Sequence, residues 1–141
     1  MNNVTKVILT LAIMLFANGA FANEVKNLSA DEALLKLKQG NNHFVHVHMK
    51  HPDETKHRRE ELVKGQHPFV AILSCSDSRV PSEIIFDQGL GDIFSIRNAG
   101  NVLDEHIIGS IEYAVYHLGI KLVVVMGHQE CGAVNAAISD S

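Results

Sequence analysis

Phe69-Val70-Ala71-Ile72-Leu73-Ser74 is a short, nearly continuous apolar run, and it stops at Cys75. A run without polar alternation is the pattern of a strand covered on both faces. Such a strand needs layers on either side, and the neighbouring sequence supplies them. C-terminal to it, Pro81 sits where a helix can begin, and residues 82–86 read as a short one. Residues 92–96 form a second, more polar strand. Asp104 can cap a helix over Ile107, Ile108, Ile111, Ala114, Val115 and Leu118, with Gly119 as its stop. Residues 122–126 (LVVVM) read as a third buried strand, and a last helix runs from about Gly132 towards Ile138. N-terminal to the run, Ser29 and Glu32 make a capping box before Ala33, Leu34 and Leu37, with Gly40 as the expected helix end. Residues 53–64 are charged and helix-prone, with Gly65 after them. Both N-terminal helices carry little apolar surface and are expected on the outside.

Alternation of strand and helix implies a parallel α/β sheet with right-handed crossovers. In such sheets ligands bind beyond the carboxyl ends of the strands. Cys75 lies just past the first strand; His128 and Cys131 lie just past the third. If these three side chains meet, the first and third strands are neighbours and the second is outside. The expected strand order is therefore 2-1-3, with the site at the point where the winding reverses.

The chain has 141 residues, enough for one domain. Its first 22 residues read as a secretory leader: Lys6 is a positive start, residues 7–16 are almost wholly apolar, and Ala20-Phe21-Ala22 is a small-x-small cleavage site. The apolar run is too short for a membrane anchor, which needs about 20 residues. The expected mature domain is thus residues 23–141, exported and, in a bacterium, periplasmic. The formal net charge is −4, and removing Lys6 makes the domain one unit more acidic. Such a domain has no electrostatic attraction to nucleic acid or anionic lipid, and no further stretch is long enough to span a membrane.

Two cysteines in an exported chain suggest one disulfide, Cys75 to Cys131, on count alone. Their surroundings favour a metal. His128-x-x-Cys131 puts two ligands on one tight turn, and Cys75-x-Asp77-x-Arg79 brings the third from across the sheet. Two thiolates and one imidazole suit Zn²⁺, and three protein ligands leave a fourth position for water. Bound water ionises near neutral pH, which supplies hydroxide. Asp77, two residues from Cys75, can orient that water, and Arg79 can hold the carboxylate. If Arg79 released it, Asp77 could itself become the fourth ligand and close the site; this closure is expected at acidic pH.

Three blocks together resemble the β-class carbonic anhydrases: Cys75-Ser76-Asp77-Ser78-Arg79-Val80-Pro81, Arg97-Asn98-Ala99-Gly100-Asn101, and Gly127-His128-Gln129-Glu130-Cys131-Gly132-Ala133-Val134. The resemblance runs from about Ser29 to the last residue. It implies one zinc per chain on Cys75, His128 and Cys131, with Asp77 and Arg79 as the catalytic dyad. It also implies substrate contacts at Gln66, Phe94, Tyr113 and Gly132. The implied reaction is reversible hydration of carbon dioxide to bicarbonate and a proton, in homodimers or higher even oligomers whose subunits share pocket walls. Two alternatives accompany it: hydrolysis of carbon disulfide or carbonyl sulfide on the same scaffold, and a truncated protein that binds zinc or bicarbonate without turnover. The family domain continues through at least one more strand and further helices. This chain is therefore expected to be a partial domain, with the outer side of its third strand an uncovered edge.

Without the resemblance, Phe94 and Tyr113 read as core residues and Gln66 as a solvated loop side chain. His43, His46, His48, His51 and His57 crowd a polar stretch and read as a solvated face rather than a second metal site. His67 and His106 are weak candidates for carrying protons to buffer.

Overall fold

The structure is a computed structural model, and it describes residues 28–139. The leader expected at residues 1–22 lies outside the described residues. Helix α1 (Ala30–Val45) and helix α2 (Lys56–Leu62) precede strand β1 (Val70–Cys75). Helix α3 (Ser82–Ile85), strand β2 (Ile93–Asn98) and a single 3-10 turn (Ala99–Asn101) follow, then helix α4 (Glu105–Tyr116), strand β3 (Val123–Met126) and helix α5 (Gly132–Ser139). The sheet has the order β2-β1-β3. Both pairings are parallel: Ile72 stands beside Ser95 on one side and Val124 on the other. The order expected from three residue positions is the order observed.

β1 is buried along its whole length, as its apolar run requires. Its two faces meet different layers. Val70 and Ile72 pack with Phe69 against Ala33 and Leu37 of α1, and the Lys36 ammonium lies 4.1 Å from the centre of the Phe69 ring. Ala71 packs on the other face with Ala114 of α4, Ile120, Phe94 and Leu118. Burying Leu37 and Ile72 contributes roughly 1.5–3 kcal/mol each. The buried Ser74 and Ser82 hydroxyls meet at 3.2 Å and tie the end of β1 to the start of α3.

Several expectations are corrected. Gly40 does not end α1. The helix continues for five more residues, and Gly40 is buried inside it on the face of Ala33 and Leu37. A Cβ there would stand 1.7 Å from the Phe86 carbonyl oxygen, so this position is glycine for close packing. That buried face also means α1 is not merely an outer helix. α2 is shorter than residues 53–64 because the Thr55 side chain accepts from the Arg58 N–H and caps it later. α4 stops at Tyr116, short of Gly119, and only Ala114 of its apolar residues is fully buried. β3 is not a buried strand: Val123 and Val125 are exposed. It is one of the two edge strands among the described residues, and the face that carries Val123 and Val125 lacks a cover. Finally, the histidines are not all solvated. His43 meets the Asp87 carboxylate at 2.9 Å, and that carboxylate is only 1 % exposed. It also accepts from the backbone N–H groups of Lys50 and His51. His51 and His57 pair with the exposed Glu54 and Glu61.

Candidate metal centre

The carboxyl ends of β1 and β3 emerge side by side, because Ser74 pairs with Met126. Cys75 is the last residue of β1. His128 and Cys131 sit on the turn between β3 and α5. The two cysteine sulfurs are 3.8 Å apart, unlinked and buried. One ligand atom from each of Cys75, His128 and Cys131 lies within 4.8 Å of the others, and no other such group occurs among the described residues. The disulfide reading of Cys75 and Cys131 is therefore not the arrangement observed.

The trio fits a divalent metal on two independent grounds. Two thiolates about 2.3 Å from a tetrahedral zinc would stand about 3.8 Å from each other, which is the spacing here. His128 Nδ1 donates to the Gln129 carbonyl at 2.9 Å, which leaves Nε2 as the lone-pair nitrogen. That Nε2 is buried and takes no hydrogen bond. A buried acceptor without a partner is costly, and a cation between it and the sulfurs removes the cost.

The backbone prepares Cys75 to be a thiolate. The Gly100 N–H donates to its sulfur at 3.3 Å and the Asp77 N–H at 3.4 Å. Together with the His128 ring they bring the thiol down to about 6. The Cys75 sulfur in turn raises His128 above the usual imidazole range. Gly100 reaches the sulfur in a left-handed conformation (φ 75°), which favours glycine, although the space for a Cβ is ordinary.

Asp77 stands at the rim of the trio, its Oδ2 3.8 Å from His128 Nε2. Arg79 grips both carboxylate oxygens, Nε to Oδ1 at 2.9 Å and Nη2 to Oδ2 at 2.8 Å, and its backbone N–H adds a third bond to Oδ1. These bonds hold the Asp77 carboxyl well below the usual carboxylate range. The Arg79 Nη2 also donates to the Glu130 carbonyl at 3.0 Å, on the turn that carries His128 and Cys131. Glu130 adopts the left-handed region (φ 51°) there.

Of the expected substrate contacts, Gly132 adjoins the trio, while Gln66, Phe94 and Tyr113 form a separate group. Gln66 and Tyr113 line an open depression with Leu62, Lys64 and Leu118, and that depression does not include the trio. Phe94 meets Tyr113 in a tilted pair with ring centres 6.0 Å apart, and Tyr113 stacks on His117 at 5.3 Å. Gly132 is the first residue of α5, next to Cys131 and open to solvent. Three participants escaped the reading of the sequence: the Gly100 N–H, the Glu130 carbonyl and the Arg97 side chain. The first two are backbone groups, which no residue type announces. Arg97 stands in a block whose match was noted without a role for it.

Residues 70–141, just over half the chain, match the family described as carbonic anhydrase. Carbonic anhydrase 2 of Mycobacterium tuberculosis is 53% identical over 103 residues, covering 73% of this chain and 50% of that protein. The crystal structure of the β-carbonic anhydrase CafA of the fungal pathogen Aspergillus fumigatus superposes with a TM-score of 0.57 at 37% identity, over 79% of this chain and 51% of that one. A tetrameric β-carbonic anhydrase of Sordaria macrospora superposes with a TM-score of 0.56 at 29% identity, over 99% of this chain and 56% of that one. The chain spans about half the length of these relatives. With the same three-stranded parallel arrangement and the matched cysteine and histidine blocks, the chain belongs to the β-class carbonic anhydrases.

Proposed function

We propose that this chain binds one zinc ion on Cys75, His128 and Cys131 and interconverts carbon dioxide with bicarbonate and a proton. The observation that carries the reading is the placement of Asp77. A carboxylate gripped at both oxygens stands 3.8 Å from the lone-pair nitrogen of a two-thiolate, one-imidazole cluster. Zinc, when bound, supplies a hydroxide nucleophile at neutral pH. The protein's part is orientation. Asp77 Oδ2 is placed to accept a hydrogen bond from such a nucleophile, which would turn a lone pair towards the substrate carbon. Arg79 keeps Asp77 ionised, so the carboxylate accepts and does not donate.

The same reading extends to assembly and location. The exposed apolar side chains Tyr116, Val125 and Ile138 favour association, and the Sordaria macrospora relative is described as tetrameric. A homodimer or larger even oligomer is proposed. The leader-like first 22 residues support export to a periplasm. No helix among the described residues is long and apolar enough to cross a membrane.

Stopped-flow hydration of carbon dioxide, on the zinc-loaded chain and on Asp77→Asn, tests the reading. The wild type should hydrate above the buffer rate, and the variant should lose about 100-fold or more in kcat while keeping its zinc. Hydration at the buffer rate by the wild type, or equal rates in both proteins, rejects it.

A further inference from the structure

Arg97 lies on β2, the strand that contributes no ligand. Its guanidinium nonetheless reaches across to the loop that leaves β1. Nε donates to the Cys75 carbonyl at 3.0 Å, and Nη2 donates to the Asp77 carbonyl at 2.7 Å. The two acceptors bracket the residues that matter: the carbonyl of a ligand and the carbonyl of the carboxylate residue. Both bonds are charge-assisted, and a fork of fixed geometry sets the distance between its two acceptors. Arg97 is half-buried, so solvent competes weakly for its donors.

The rest of that loop is held lightly. The Ser76 N–H donates to the Asn98 carbonyl at 2.8 Å and prolongs the β1–β2 ladder by one residue. The Val80 N–H donates to the same Asp77 carbonyl at 3.1 Å. Ser76, Ser78 and Arg79 are exposed. From the far side, Arg79 links the Asp77 carboxylate to the Glu130 carbonyl. Asp77 is thus held twice: its side chain by Arg79, and its main chain by Arg97.

We infer that Arg97 is a positioning residue for the metal centre, fixing the Cys75–Asp77 main chain so that the Cys75 sulfur and the Asp77 carboxylate keep their places relative to His128 and Cys131. Its hydrogen bonds go to main-chain carbonyls and not to the ligand atoms, and it acts through those two carbonyls. The inference deepens the proposed function and rests on it for the kinetic arm only. Groups that orient metal ligands from outside typically change affinity or activity about 10–100-fold when removed, and a shift of about 1 Å in a reacting group costs about 100-fold.

The test uses the full chain with Arg97→Ala and Arg97→Lys, and two readouts. The first is cobalt(II) substitution. Arg97→Ala should bind cobalt about 10-fold or more weakly than wild type, with altered visible ligand-field bands. Arg97→Lys, which keeps the charge but lacks the fork, should fall between. Millimolar guanidinium should restore part of the wild-type spectrum to Arg97→Ala and leave the wild type unchanged. The second is carbon dioxide hydration of the zinc proteins, where kcat should fall about 10–100-fold with KM nearly constant. Cobalt affinity and bands identical to wild type in both variants overturn the inference. So does a loss in Arg97→Ala that guanidinium cannot reverse alongside an unaltered Arg97→Lys. If the wild type binds cobalt but does not hydrate, the proposed function fails, and the cobalt arm still decides the role of Arg97.

Discussion

Replacing Gly40 by alanine in the middle of α1 ought to stabilise the protein on helix propensity alone, by about 1 kcal/mol. The structure predicts the opposite sign. The new Cβ would stand 1.7 Å from the Phe86 carbonyl oxygen, 2.6 Å from its carbon and 2.9 Å from Gln88 Nε2. Only the last of these belongs to a side chain that can swing away. Relief requires α1 and the Phe86 backbone to separate by more than about 1 Å, given contact distances near 3.5 Å. That backbone is fastened. Phe86 ends α3, the Asn41 side chain donates to the Ile85 carbonyl, and the Asp87 carboxylate holds Lys50 and His51. Overpacking a fastened site costs about 3 kcal/mol, the upper part of the usual range. Subtracting the propensity gain leaves about 2 kcal/mol of net destabilisation. For a domain of this size the midpoint should drop by about 6–12 °C. Thermal unfolding followed by circular dichroism reads this directly, with Lys38→Ala, on the exposed side of the same helix, as a control within about 0.5 kcal/mol of wild type. A Gly40→Ala midpoint equal to or above that of wild type would refute the close-packing argument.

Three further outcomes follow from other parts of the structure. Ser29→Ala removes the oxygen that accepts from the Glu32 N–H and should cost about 1 kcal/mol in urea unfolding; no change would show that the capping box contributes nothing. Asp87→Asn should cost about 2 kcal/mol near pH 6. Burial by itself would raise the Asp87 carboxyl, but the Lys50 and His51 N–H groups with His43 outweigh it and hold the carboxyl below its usual range. A depressed carboxyl contributes its stability above the unfolded value of about 4 and loses it as pH falls below that, so the gap between variant and wild type should narrow towards pH 3; a gap constant with pH contradicts this. Glu130→Gly should leave hydration activity nearly unchanged and stability equal or up to about 1 kcal/mol higher, because the hydrogen bond into the site is to the Glu130 carbonyl on a left-handed backbone, while its carboxylate acts on Arg79 only as the smallest of several influences; a large loss of kcat would assign the carboxylate a role.

The placement of Cys75, His128 and Cys131 was legible because strand ends and ligand types are written in residue identity. Requiring the three to meet gave the strand order, and that order holds. What escaped was contact information. Gly40 reads as a helix stop by type and is a packing position by neighbourhood. The valines of β3 read as buried because composition does not state what lies beside a strand; among the described residues Val125 is 60 % exposed. His43 read as solvated because its partner, Asp87, is 44 residues away. The grips on Asp77 from Arg97 and on Arg79 from Glu130 use main-chain carbonyls, which every residue possesses. Side-chain chemistry was therefore readable, and the main-chain scaffold that aims it was not.

The central claim is that Cys75, Cys131 and His128 form one metal centre, and zinc-edge X-ray absorption on the purified full chain addresses it most directly. One zinc per chain is expected, with two sulfur neighbours at about 2.3 Å and one imidazole nitrogen at about 2.0 Å. A shell without sulfur, or a chain that takes up no zinc and carries a Cys75–Cys131 disulfide, would contradict it.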